Sequence, residues 1–300
     1  MLECVANVSE GRDTGIIEAI AAACGPALLD VHRDPDHHRS VFTLAGPGPA
    51  DAGPAARRLA AVVAEQVDLT LHQGVHPRLG ALDVVPFVAI DPVDGGAAAA
   101  VAVEAAHSFA AWFSSTFDVP VFFYGDAAPI RRSLADVRRD AFAVLAPDLG
   151  PAEPHPRLGV TAVGARPPMI AINCNLTTDD VSLARRIASA MRERDGGLPG
   201  VRALGFALAS RGQAQVSMNL VALERTGVEH ACTEVRRLAE AAGAGVAGVE
   251  LVGLVPKAEL DRCSDEFRSW SGISPDRTVE NRLAAVARAA PPGRAAAGPA

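Results

Sequence analysis

Lysine is nearly absent from this sequence: among 28 basic side chains in 300 residues, Lys257 is the only lysine and the others are arginine. A Walker-type phosphate loop requires Gly-Lys-Ser/Thr, whereas Lys257 stands in Val255-Pro256-Lys257-Ala258, which excludes P-loop nucleotide hydrolysis. A lysine Schiff base has that single position open to it. Basic excess is missing too. The formal net charge is −7 and no Lys/Arg tract is interleaved with aromatic residues, so nucleic acid is not an expected partner. The five cysteines, Cys4, Cys24, Cys174, Cys232 and Cys263, form no Cys-x-x-Cys pair. That removes zinc ribbons and dithiol redox chemistry and leaves buried thiols in a reducing cytosol. The longest apolar-looking run, 95–103, is alanine-rich and far short of the ~20 residues of a membrane span. Met1-Leu2-Glu3-Cys4 has neither the basic start nor the apolar stretch of a signal peptide, so the expected location is cytoplasmic, with no membrane partner.

What the chain does have is apolar content and arginine. With 49% hydrophobic residues it can bury one large core or two smaller ones, domains commonly running ~100–200 residues. Guanidinium forks grip carboxylates at two points, which favours acidic small molecules as ligands. Short β-rich runs alternate with alanine-rich amphipathic stretches. The pattern predicts strands at 2–8, 27–31, 40–45, 82–90, 119–124, 169–175, 201–209, 214–223 and 249–255. It predicts helices at 14–23, 50–67, 97–117, 131–142, 179–192, 228–242 and 276–288. Thr178-Asp179-Asp180 supplies an N-cap and early acids for the fifth helix. The order βαββαβ in residues 2–90, approximated again after residue 168, gives an α+β fold class built from two ferredoxin-like split βαβ units. The Pro/Gly-rich passage from Ala146 to Pro156 reads as a linker or a binding loop, and Pro291–Ala300 as a disordered end.

One pentapeptide occurs twice, as His76-Pro77-Arg78-Leu79-Gly80 and His155-Pro156-Arg157-Leu158-Gly159, each time before a strand-like run. Gly243-Ala244-Gly245-Val246-Ala247-Gly248 fits the letters of a dinucleotide fingerprint, but a helix precedes it and a strand follows, so it reads as a helix end and turn. The stretch from His32 to Arg39 holds three histidines and two aspartates on a turn between strands. Neighbouring histidines on a turn rarely converge on one ion, and a loop over an active site is the better reading than a metal centre. His76 is held off a helix by Pro77 and has glycines on both sides that let a ligand approach the backbone. Its imidazole suits a proton shuttle between two nitrogens.

These residues also carry a resemblance. Glu3-Cys4-Val5, Asn7-Val8-Ser9-Glu10-Gly11, Leu28-Leu29-Asp30-Val31 and Arg39-Ser40-Val41 are similar to the start of the glutamate formimidoyltransferase family. So are the run from Gly74 to Phe87 around His76, Pro120-Val121-Phe122-Phe123-Tyr124-Gly125 and Val163-Gly164-Ala165-Arg166. Further matches are Asn173-Cys174-Asn175-Leu176, Gln215-Val216-Ser217-Met218-Asn219-Leu220 and Leu251-Val252-Gly253-Leu254-Val255-Pro256. The likeness spans about residues 2–283.

The resemblance implies transfer of a formimidoyl group from N-formimidoyl-L-glutamate to N5 of tetrahydrofolate, a co-substrate, in histidine degradation. It implies two ferredoxin-like subdomains, 1–168 and 169–283, side by side with a ligand groove between them, and a disordered tail at 284–300. The family's catalytic histidine falls on His76. Its folate-binding segment falls on Gly150, Pro151, Ala152, Glu153, Pro154, His155, Pro156, Arg157, Leu158 and Gly159. Both substrates carry carboxylates, so Arg39, Arg78 and Arg157 are candidate anchors. No metal is called for. The chain departs from better-known members at Gln73 and Val75, where Lys and Glu are usual, and at His32, where some carry an acid. Those departures keep open a transferase acting on a different amine or formyl donor, and a non-catalytic folate-binding protein. The length leaves no room for the cyclodeaminase domain of bifunctional relatives, and an alanine-rich surface helix suits a homodimer without any heptad seam to define it.

Overall fold

The structure, a computed structural model, describes residues 1–46, 52–90 and 95–289. The first unit begins β1 (Leu2–Val8), α1 (Thr14–Cys24), β2 (Leu28–Asp34), β3 (Arg39–Ala45), α2 (Ala52–Gln66) and β4 (Leu82–Ala89). These strands lie in the order β2-β3-β1-β4, the split βαβ arrangement, with β1 antiparallel to both neighbours. Then come α3 (Gly95–Phe117), β5 (Val121–Gly125), α4 (Leu134–Asp140) and β6 (Thr161–Ala165). β6 inserts between β4 and β5, parallel to each, and extends the sheet to six strands. The second unit is β7 (Ile170–Leu176), α5 (Val181–Met191), β8 (Val201–Leu208), β9 (Gln213–Leu220), α6 (Val228–Ala241) and β10 (Val246–Val252). Its order, β10-β7-β9-β8, repeats the same topology. The short helices α7 (Lys257–Asp261) and α8 (Asp265–Ser271) and then α9 (Val279–Ala289) follow.

Local chemistry explains the helix starts. Asp13 caps α1 by accepting from the amide of Ile16, and Asp180 caps α5 by accepting from those of Ser182 and Leu183. Ile17, Ile20 and Cys24 recur at helical spacing on the buried face of α1. Each sheet closes its own core: Phe42, Leu44, Phe87, Phe109 and Phe113 fill the first, and Ile170, Ile172, Ile187, Met191 and Val235 the second. The two units meet through an apolar patch, Leu29 and Ala45 against Leu254 and Val279, and through polar contacts. Arg277 donates to Asp30 at 2.9 Å, Ser210 donates its amide to Asp36 at 3.1 Å, and His32 Nε2 lies 3.7 Å from Glu250.

Two expectations change. β6 takes the chain from Thr161 to Ala165 into the middle of the first sheet, so the Pro/Gly-rich passage before it lies within the first unit and is not a linker between the two. Residues 284–289, placed in a disordered tail beyond the second subdomain although the residue pattern predicts a helix to 288, are the second half of α9. Val279, Leu283 and Val286 recur at helical spacing and pack against Leu29, Ala45 and Leu254, which is reason enough for that turn to order. Residues 290–300, the rest of the expected tail, and residues 50 and 51, at the start of the predicted second helix, fall outside the described residues.

Glu3, on β1, is a buried carboxyl at 9% exposure. Burial pushes its pKa up to about 7, against the pull of Arg166 and with added repulsion from Glu280. A carboxyl whose pKa rises on folding stabilises the fold below its ordinary pKa, and that contribution is lost as pH rises through 7. Glu3→Gln removes the titration. The stability of Glu3→Gln relative to the parent is therefore expected to improve by about 3 kcal/mol between pH 4 and pH 8. Parallel urea titrations at the two pH values measure it, and a pH-independent difference would disprove it.

Candidate functional site

The two pentapeptide copies meet. Ala81 donates its amide to the carbonyl of Leu158 at 2.9 Å, and Val160 donates to that of Leu79 at 3.1 Å, so Gly80 and Gly159 pair across an antiparallel bridge. No side chain fits there: a Cβ on Gly80 would sit 2.0 Å from the Val160 carbonyl oxygen, and Gly159 has φ +69° with the Leu79 oxygen 2.4 Å from its Cβ position. The bridge joins the end of the 150–159 segment to the loop that carries His76.

The two histidines do different work. His155 Nδ1 accepts from the amides of Arg157 and Leu158, at 3.2 and 3.0 Å, and folds its own turn. His76 Nδ1 lies 2.6 Å from the carbonyl oxygen of Pro77. A carbonyl only accepts, so Nδ1 carries the proton and Nε2 is left as a base. Burial lowers the pKa of His76 well below the ordinary histidine value; Arg39, Arg138 and His37 push the same way, and Asp83 opposes them. The ring is therefore neutral at pH 7.

Asp83, fully buried at the start of β4, organises this neighbourhood. Its carboxylate accepts from Arg39 and Arg138, each at 2.6 Å, and from the amide of Leu79, also at 2.6 Å. Burial alone would raise its pKa, but the two guanidinium groups and these hydrogen bonds hold it far below the usual carboxylate range. Arg138 also donates to the Pro77 carbonyl at 3.0 Å, the oxygen that fixes the His76 tautomer.

Three further histidines surround the loop. His38 stacks on His72 with ring centroids 4.0 Å apart, its Nε2 lies 3.1 Å from Glu10 and its Nδ1 lies 3.0 Å from the Gln73 carbonyl. His72 Nε2 lies 2.7 Å from the His38 carbonyl, and burial lowers its pKa to about 4. His37 sits with its ring 5.7 Å from that of His76 and 4.9 Å from Phe206 of β8. Thus His32, His37 and His38 turn to Glu250, Phe206 and Glu10, and among the described residues no group of three or more His, Cys, Asp or Glu has the arrangement to hold a metal ion.

The candidate anchors spend donors on the protein itself. All three Arg39 nitrogens are engaged, two by Asn7 Oδ1 at 3.1 and 2.9 Å and one by Asp83, so Arg39 positions the site. Arg78 donates to the carbonyls of Gly74 at 2.6 Å and His76 at 3.2 Å, stapling the loop. Arg157 points to the end of α2, where it donates to the carbonyls of Ala64, Glu65 and Val67. Residues Ala152, Glu153, Pro154 and Pro156 of the 150–159 segment are exposed, and Leu158 and Gly159 are buried. The departures at Gln73 and Val75 are exposed side chains. Sequence reasoning gave no role to Arg138, His37 or Phe206. Only the His32–Arg39 histidine cluster hinted at one of them.

Comparison with known proteins gives the family of the chain. Residues 1–166 match the model of the formiminotransferase domain, N-terminal subdomain, and residues 171–272 that of the formiminotransferase domain. A glutamate formimidoyltransferase of Streptococcus pyogenes is 38% identical, the alignment covering 87% of this chain and 91% of the relative. One from Thermoplasma acidophilum is 35% identical over 94% of this chain and 97% of its own. The formimidoyltransferase-cyclodeaminase of Sus scrofa is 37% identical over 87% of this chain and 51% of its own length. With both domain models matched in order on the two split βαβ units, this chain belongs to the formiminotransferase family.

Proposed function

We propose that this protein transfers the formimidoyl group of N-formimidoyl-L-glutamate to N5 of tetrahydrofolate, giving 5-formimidoyltetrahydrofolate and L-glutamate. His76 is the general acid/base, and the segment Gly150–Gly159 contacts the folate. The observation that carries the residue assignment is the tautomer: Nδ1–H bonded to Pro77, Nε2 unprotonated, and a ring that burial keeps neutral. The reaction needs a proton removed from N5 as it attacks the amidine carbon, and a proton given to the nitrogen of departing glutamate. One imidazole nitrogen serves both purposes in turn. Once charged, the His76 ring lies in the field of Arg39 and Arg138, so it is a strong acid and gives the proton up readily.

Arg78 makes no hydrogen bond through Nε among the described residues, and that donor is the proposed anchor for a substrate carboxylate. We place the two units as subdomains 1–168 and 169–283, the second carried on to residue 289 by the rest of α9, with the ligands bound between them, where Asp30, His32, Asp36 and Glu250 make cross-unit contacts. Among the described residues no helix is long and apolar enough to cross a membrane, and all five cysteines are free and buried, which supports a cytoplasmic protein. The test is to incubate the purified protein with tetrahydrofolate and N-formimidoylglutamate while following glutamate release and the folate spectrum. Turnover is expected. Folate binding without turnover would replace the transferase by a binding protein.

A further inference from the structure

Among the described residues four buried side-chain polar atoms make no hydrogen bond: His37 Nε2, Thr43 Oγ1, His72 Nδ1 and Gln215 Oε1. His37 is the one beside the proposed acid/base. It is 7% exposed, with its ring edge-on to Phe206 at 62° and tilted 43° to His76, and His76 itself lies 5.9 Å from Phe206. The orphaned nitrogen thus sits where two loops of the first unit meet β8 of the second.

The backbone that carries the ring is held on both sides. Asp34 accepts the His37 amide at 2.8 Å, Val75 donates to the Asp36 carbonyl at 3.3 Å, and Gly74 packs so closely that a Cβ there would lie 2.3 Å from the His37 carbonyl oxygen. A buried imidazole nitrogen fixed without a partner is costly unless a ligand completes it. The charged and titratable groups around His37 are Asp34, Asp36, Glu250, Arg39 and His76. Burial outweighs the carboxylates and lowers the pKa of His37, so the ring is uncharged at neutral pH. With its proton on Nδ1, the uncharged ring offers Nε2 as an acceptor, and a setting of three carboxylates and one guanidinium suits a cationic N–H donor. Amidines are strong bases, and the formimidoyl group is an amidinium at neutral pH.

We propose that His37 Nε2 accepts a hydrogen bond from the protonated imino nitrogen of the formimidoyl donor and holds the amidine carbon beside His76. This rests on the transferase reading above. In the transfer the bond from N5 to the amidine carbon forms, and the N5 proton passes to His76 Nε2. The bond from that carbon to the glutamate nitrogen then breaks as the same proton arrives there. The nitrogen held by His37 keeps both its protons throughout, so His37 binds and orients without exchanging a proton.

The experiment compares wild type, His37→Phe and His37→Gln by calorimetric binding of N-formimidoylglutamate, with glutamate as the control that lacks the amidine, and by turnover. His37→Phe keeps a ring against Phe206 but no acceptor. It is expected to weaken N-formimidoylglutamate about 10- to 100-fold and leave glutamate and tetrahydrofolate affinities unchanged. His37→Gln retains a neutral acceptor and is expected to bind the donor within a few-fold of wild type at pH 7.5. Wild type should lose donor affinity on acidification as His37 becomes charged, and His37→Gln should lack that acid limb, a difference that a packing role would not produce. Equal donor affinity in wild type and His37→Phe, a parallel loss of glutamate binding, or identical pH profiles in wild type and His37→Gln would overturn the proposal. If His37→Phe does not fold, the pH comparison with His37→Gln decides. Selective donor binding that depends on His37, without turnover, would sustain this proposal and remove the transferase reading; turnover indifferent to His37 would do the reverse.

Discussion

Replacing His76 by alanine is expected to lower kcat/KM by about 10²- to 10⁴-fold, the range of a lost general acid/base. The loop should survive the change. It is held by Arg78 through the carbonyls of Gly74 and His76, by the Gly80–Gly159 bridge and by the Leu79 amide on Asp83, none of which uses the imidazole. Circular dichroism and melting temperature should therefore stay close to those of the parent while the rate collapses. The pH dependence gives a second reading. The His76 pKa is depressed, so protonation that removes the base begins below the ordinary histidine range. The wild-type acid limb should accordingly lie below pH 6.5, and His76→Ala should lose it along with most of its activity. Full activity in a folded His76→Ala protein would take the role away from His76.

Much of the first unit was legible because its longer strands are apolar runs of seven or eight residues and its helices are amphipathic. β1 spans the predicted residues 2–8, and α1 exceeds its prediction by one residue. β6 was harder to see. Its five residues, Thr161-Ala162-Val163-Gly164-Ala165, are small and buried on both faces, and parallel central strands of that kind lack the alternation that betrays a half-exposed strand. α7 and α8, of five and seven residues, are too short for a 3.6-residue period to register. In the site, the repeated pentapeptide revealed two loops of the same chemistry, and His76 was recognisable from its flanking residues. Their meeting was not, because it depends on two glycine backbones 79 positions apart. The arginines show the limit most clearly. Composition pointed them at substrate carboxylates, yet Arg39 converges with Arg138 on Asp83, partners 44 and 55 residues away in sequence, and Arg157 serves the end of α2. Which carboxylate an arginine meets is decided by tertiary packing, and no local spacing encodes it.

Asp83→Ala is expected to be the most destabilising single change near the site. Asp83 is fully buried and neutralises two guanidinium groups whose own side chains are 11% and 19% exposed. Removing one partner of such a buried cluster leaves uncompensated charge and costs about 3–5 kcal/mol. For a protein of this size that lowers the melting temperature by on the order of 10 °C. Asp83→Asn separates charge from shape. The amide oxygen can still accept from Leu79, but Arg39 and Arg138 lose their counter-ion, and Arg138 is no longer held against the Pro77 carbonyl that sets the His76 tautomer. A misplacement of the base by about 1 Å is enough for a 10²-fold fall in kcat, and Asp83→Asn is expected to show a loss of that order in protein that remains folded at 25 °C. The sign of the pH effect also follows. Because Asp83 is held ionised far below the ordinary carboxylate range, its contribution is fully present above about pH 4 and is lost as pH falls toward its folded pKa. The stability gap between wild type and Asp83→Asn should therefore be constant from pH 5 to 8 and narrow on acidification below pH 4. Asp83 also favours the charged form of His76, so Asp83→Asn should move the acid limb of whatever activity remains to still lower pH. A stable Asp83→Asn protein with unaltered kcat and an unmoved acid limb would show that the carboxylate neither sets the geometry nor the charge of His76.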